Sequence, residues 1–109
     1  MTAGEHLPPA LFAPVAERFR ALGEPARLAL LDALRDGPLS VTELVAATGQ
    51  TQANASRHLG VLHTAGLVSR RRDGAYVYYD VADPEVWQLC ELICGRLKRD
   101  AKAVLTEGG

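Results

Sequence analysis

Residues 40–81 read "SVTELVAATGQTQANASRHLGVLHTAGLVSRRRDGAYVYYDV", and the punctuation of this stretch decides the fold. Ser40 with Glu43 three positions on is the pattern of a capping box, in which each side chain satisfies the other's free backbone N–H. The short helix it opens stops at Gly49. Thr51 caps a second helix, expected over 52–65 and ended by Gly66. Two short helices joined by a tight glycine-containing turn form a helix-turn-helix. Beyond Gly66 the apolar period changes to two: Tyr76 and Tyr78 point one way, while Val77, Tyr79 and Val81 point the other. Asp73-Gly74 between the two runs marks a hairpin, because a two-residue turn needs positive φ.

On the N-terminal side, Leu11, Val15, Phe19 and Leu22 fall at helical spacing and predict a helix over 11–22, which Gly23 stops. Pro25 reopens a helix at its first turn, where a backbone N–H has no partner anyway. That helix, over 26–35, ends before Gly37-Pro38. On the C-terminal side, Asp83-Pro84-Glu85 supplies a cap, a first-turn proline and a first-turn acid for a closing helix to about residue 105. Residues 1–9 are expected as a flexible tail. The order is α-α-α-α-β-β-α, a mainly α chain with a β-hairpin: a winged helix-turn-helix.

The chain has 109 residues, 48% of them hydrophobic, which predicts one domain over 1–109 around a modest core. The apolar stretch "EHLPPALFAPVA" is broken by prolines and has no leading positive charge, so it does not read as a signal peptide. No apolar run is long enough to span a bilayer. Two cysteines without a secretion signal predict the cytoplasm, where thiols stay reduced. The net charge of −1 argues weakly against a nucleic-acid partner, but its distribution argues for one. Residues 51–82 hold four arginines against two aspartates, while the segments on either side are acidic on balance.

On a helical wheel of residues 52–65, Ala55, Leu59, Leu62 and Gly66 fall together, with His58 and Ala65 flanking, and that side packs inward. The opposite side presents Ala53, Ser56, Arg57, Gly60 and Thr64. Small residues around an arginine let a helix approach a groove wall, with Arg57 free to reach a base edge or a phosphate. A solvated face has the same composition. The mid-helix glycine, which costs roughly 1 kcal/mol relative to alanine, favours a constraint of close approach. Thr51, Gln52 and Asn54 at the N-terminal end, with Ser56, are the other expected groove contacts, because recognition helices enter by that end. Arg70, Arg71 and Arg72 lie beside the hairpin tip and suit phosphates or an adjacent minor groove. Strand geometry puts Arg70 and Arg72 on one face and Arg71 on the other.

With "EPARLALLDAL" before it and the closing helix after it, the quoted stretch resembles the ArsR/SmtB family of dimeric bacterial repressors, over nearly the whole chain. The segment "SRHLGVLHTAGLV" followed by an arginine-rich hairpin carries the resemblance. It implies a homodimer built from the first and last helices, which binds an inverted repeat and leaves it when an inducer binds. It also implies that 52–65 is the recognition helix and 70–79 the wing. The family's inducer sites carry over less well. There are no cysteines in "TELVAAT" for an arsenic-type site and no histidine after His63 for a zinc-type site. The second helix holds no cysteine for a persulfide-sensing pair.

The two cysteines of the chain, Cys90 and Cys94, stand four apart in "VWQLCELICGRL". On the closing helix they share a face with Val86, Ile93, Leu97, Ala101 and Val104. One reading makes them small apolar side chains in a packed seam. The other is functional, because thiolates at i and i+4 are neighbours that can share a soft ion. If two closing helices pair about a two-fold axis, four thiols line the seam and suit As(III), Sb(III), cadmium, mercury or copper(I). Oxidation or persulfidation is the competing chemistry. A disulfide within one intact helix is disfavoured by its strained torsion. His58 reads as a satisfied buried imidazole, and neither His6 nor His63 belongs to a ligand pattern. No catalytic motif is present, so an enzyme is not expected. The rival class is a winged-helix protein-interaction module without DNA.

Overall fold

Side-chain caps fix the starts of the two helices of the helix-turn-helix. The computed structural model describes the backbone of residues 5–108 and the side chains of residues 5–102. A 3₁₀ turn, Pro9–Leu11, leads into α1 (Phe12–Leu22), and α2 (Pro25–Ala33) starts on Pro25 with an extended Glu24 as its N-cap. After a second 3₁₀ turn, Leu34–Asp36, come β1 (Leu39–Ser40), α3 (Val41–Thr48) and α4 (Gln52–Thr64). The hairpin strands β2 (Val68–Asp73) and β3 (Tyr76–Val81) precede α5 (Glu85–Gly108). Of the expected tail, residues 1–4 lie outside the described residues, residues 5–8 form neither helix nor strand, and Pro9 already belongs to the first turn. The side chain of Val104, assigned to the apolar face of the last helix, also lies outside the described side chains.

The capping box is formed. Ser40 Oγ accepts the Glu43 backbone N–H at 3.1 Å, and Glu43 Oε1 accepts that of Ser40 at 3.0 Å. Gly49 ends α3 in the left-handed region, at φ 72°, where a Cβ would be strained. Thr51 Oγ1 accepts the Asn54 N–H at 3.1 Å and starts α4.

Two features differ from the sequence reading. β1 was not expected: two residues are too few to show an alternating pattern. It pairs antiparallel with β3, Leu39 opposite Tyr79, and completes a three-stranded sheet in the order β1-β3-β2. The hairpin turn is Gly74-Ala75 rather than Asp73-Gly74, because Asp73 still pairs with Tyr76. Gly74 takes the positive φ, 62°, at the first turn position, as hairpins with glycine there do.

Leu30, Leu31, Leu34, Leu44, Leu59 and Leu62 are fully buried and form the core with Ala21, Ala55, Val68 and Tyr79. Each such leucine is worth roughly 1.5–3 kcal/mol relative to an exposed one. Leu59 and Leu62 therefore fix the roll of α4 about its axis. α5 is anchored at its start, where Trp87 Nε1 donates to the Leu31 carbonyl at 3.2 Å and Arg35 pairs with Glu91. Further along it, Leu92, Ile93 and Leu97 are exposed. Among the described residues no helix is long and apolar enough to cross a membrane.

Candidate nucleic-acid interface

The buried side of α4 consists of Ala55, His58, Leu59 and Leu62, which leaves Ala53, Asn54, Ser56, Arg57 and Thr64 exposed. A Cβ added at Gly60 would meet nothing within 4 Å, so no neighbour inside the protomer requires glycine there. The surface of α4 is consequently low along Ala53, Ser56 and Gly60, with Arg57 rising beside it. Thr51 uses its hydroxyl on the helix it caps. Gln52 and Asn54 stand exposed at the N-terminal end, where the helix dipole favours an anion.

The wing changes character along its length. Directly opposed residues of an antiparallel pair share a face, and here Val68 opposes Val81, Arg70 opposes Tyr79, and Arg72 opposes Val77. The inner face is thus apolar at its base, where Val68 enters the core, and basic towards the tip. Arg70 and Arg72 line a cleft of about 540 Å³ together with Val41, Gln52, Ser56, Val77 and Tyr79. The fold therefore brings together Gln52 and Ser56 of α4 and two of the three wing arginines. Arg71 is on the outer face, 5.2 Å from the Tyr78 ring centroid and 3.6 Å from Asp73.

Arg57 borders a second groove, between α1 and α4, lined also by Glu17, Arg20, Arg27, Gly60 and Thr64. Beneath it His58 is 5% exposed, with Nδ1 at 3.1 Å from Arg27 Nη1 and Nε2 at 3.4 Å from Arg57 Nη2. Burial lowers the imidazole's pKa. The Arg57 and Arg27 charges push it the same way, and Glu24 opposes them. His58 is thus a buried imidazole with hydrogen-bond partners, as its place on the wheel implied, and its surroundings favour the neutral form. Arg27 was not singled out from the sequence, because its partner lies 31 residues away and nothing local marks the contact.

Cys90 and Cys94 line an apolar groove of about 480 Å³ between α1, α2 and α5, whose walls include Phe19, Leu28, Trp87 and Leu97. Cys90 is half-buried and Cys94 exposed, so within one protomer neither thiol belongs to the core. Burial raises the Cys90 pKa, partly offset by Arg35. Arg35 itself lies 5.4 Å from the Trp87 ring centroid and ties the start of α5 to the 3₁₀ turn that follows α2. Among the described residues no three His, Cys, Asp or Glu side chains form a metal-sized group.

The sequence matches the family model of bacterial regulatory proteins, arsR family, over residues 24–70. It is 38% identical over 96 residues to the HTH-type transcriptional regulator Rv0081 of Mycobacterium tuberculosis, covering 84% of each chain. The crystal structure of that protein superposes with a TM-score of 0.76 at 35% identity, over 91% of this chain and 99% of the other. A homodimeric winged helix-turn-helix DNA-binding domain of Mycobacterium bovis, solved in solution, gives 0.74 at 34% identity, over 90% and 91% of the two chains. A probable mercury resistance operon repressor of Streptomyces lividans is 43% identical over 77 residues, 71% of this chain and 62% of that one.

Proposed function

The chain belongs to the arsR family of bacterial regulatory proteins, which are DNA-binding transcriptional regulators and not enzymes. From that premise we propose a cytoplasmic repressor that binds an inverted-repeat operator as a homodimer and is released by a thiol-directed inducer at Cys90 and Cys94. The observation that carries the DNA half is the cleft in which Gln52 and Ser56 of α4 face Arg70 and Arg72 of the wing. In this reading α4 enters the major groove by its N-terminal end. Arg57 reaches a base edge, with Gln52, Asn54 and Ser56 beside it, while Arg70 and Arg72 hold phosphates. Thr51 presets the N-terminus of that helix.

The dimer follows from α1 and α5. Phe12 and Phe19 on one and Ile93 and Leu97 on the other are more than half exposed in the single chain. A second copy covers such surface, as in the homodimeric relative. The pairing also bears on the inducer, because the two thiols of one protomer suffice for a two-coordinate ion such as mercury but not for As(III) or Sb(III), which take three sulfur ligands. Two copies supply four soft donors, suited to As(III), Sb(III) or mercury, and the relative tied to mercury resistance falls in that chemical class. Persulfidation or oxidation of the exposed Cys94 is a second reading for the same pair.

One experiment tests both halves. A duplex selected by the protein from a random library is bound by wild type and by the Cys90→Ala/Cys94→Ala variant. Arsenite, mercury, cadmium and a persulfide donor are then titrated in separately. Release of wild type by a thiophilic ion, with the alanine variant still bound, supports the proposal. Release by persulfide alone selects the second reading. Equal release of both proteins, or of neither, removes the cysteines from the mechanism, and failure to select any duplex removes the DNA half.

A further inference from the structure

Arg27 connects three elements through one guanidinium. Its Nε donates to the Ala21 carbonyl at 2.6 Å and its Nη2 to the Arg20 carbonyl at 3.1 Å, both at the end of α1. Its Nη1 lies 3.1 Å from Nδ1 of His58 on α4. An arginine stays protonated and has no acceptor, so Nη1 can only donate and Nδ1 has to accept. The proton of the neutral imidazole is then on Nε2.

Nε2 faces Arg57, whose Nη2 is 3.4 Å away. Arg57 can likewise only donate, and a neutral ring offers one acceptor to two arginine donors; the shorter contact, with Arg27, takes it and leaves Arg57 without a bond to the ring. The other tautomer would instead deprive the shorter contact of its acceptor, and an imidazolium would deprive both. Arg57 from α4, Arg27 from α2 and Glu24 at the start of α2 are the charged groups around the ring.

We propose that Arg27 is a positioning residue for DNA reading: it sets the His58 proton on Nε2, which denies Arg57 an intramolecular acceptor and leaves that guanidinium open to acceptors on DNA. Without Arg27 the ring is free to change tautomer. Nε2 then becomes an acceptor, and Arg57 docks on the imidazole of its own helix instead of on the duplex. The carbonyl bonds to Arg20 and Ala21 hold the guanidinium in place meanwhile, so Arg27 has no freedom to follow the ring. This inference rests on the reading of Arg57 as a base contact.

Imidazole nitrogen NMR on the wild-type protein requires no variant, and it is expected to show His58 protonated on Nε2. A proton on Nδ1 overturns the proposal. The second measurement compares binding to a duplex selected from a random library with binding to a scrambled duplex of the same length. Arg27→Lys keeps the charge, but its single ammonium cannot span two carbonyls and an imidazole. It should lower discrimination about tenfold, within the range of one bidentate base contact. In an Arg57→Ala background the same change should cost no further discrimination. Additive losses would show that Arg27 acts elsewhere and overturn the proposal, as would unchanged discrimination in Arg27→Lys. If Arg57→Ala itself leaves discrimination intact, the base-contact reading falls and this inference with it.

Discussion

Arg71 and Arg72 are neighbours in sequence with opposite surroundings. Arg72 faces the cleft beside Gln52 and Ser56, whereas Arg71 lies over Tyr78 and near Asp73 on the outer face. The Arg71–Asp73 pair is well exposed, and such pairs contribute little to stability. We expect Arg72→Ala to weaken binding to specific and random duplexes alike and to reduce the salt slope by about one, the signature of one lost phosphate contact. Arg71→Ala should leave both nearly unchanged. Anisotropy titrations at several salt concentrations check this, and equal slopes for the two variants would end the distinction. Alternation along a strand made the opposite faces of Arg71 and its neighbours legible in the sequence. The sequence assigned all three arginines to DNA, however, and the contacts of Arg71 with Tyr78 and Asp73 were not legible there. The Arg27–His58 contact was not legible, since it depends on two helices meeting far apart in the chain.

At the scale of elements, the signals that the sequence carries are local ones, and the caps show their worth. Ser40 is 4% exposed, starts α3 with its hydroxyl, and pairs through β1 with Tyr78 of the wing. Ser40→Ala removes the acceptor for the Glu43 N–H at a site with little access to water. The expected loss is about 1–2 kcal/mol, the upper range for N-caps. In a domain of this size about 1 kcal/mol lowers the melting temperature by roughly 4–8 °C. DNA affinity measured well below the melt should persist, because α4 has its own cap in Thr51. A melt unmoved by the change would mean that the box contributes nothing. The helix starts, the glycine stops and the hairpin were readable for the same reason, each being fixed by chemistry within four residues. β1 was missed because a strand of two residues owes its existence to its partner, and the turn slipped by one residue because only pairing fixes its register.

For the whole molecule, the question is what covers α1 and α5. The sequence marked both apolar stripes, and the single chain leaves Phe12, Phe19, Ile93 and Leu97 more than half exposed. α5 is fastened near its start by Trp87 and Glu91, while Leu92, Ile93 and Leu97 on its later turns are more than half exposed in the protomer. Large exposed apolar side chains on two adjacent helices are costly for a monomer in water, and a two-fold partner removes the cost on both copies at once. Such a dimer should set its two recognition helices about 34 Å apart, one DNA turn. Sedimentation at micromolar concentration should therefore give twice the chain mass. Leu97→Glu, 63% exposed in the protomer and outside the six buried leucines, should give a folded monomer. Losing the second half-site removes the gain from linked binding, so operator affinity should fall by about a hundredfold or more. Each half-site contact should survive, leaving affinity for random DNA much less affected. A monomeric wild type that binds its selected duplex tightly would sink the dimer, and the four-thiol inducer site with it.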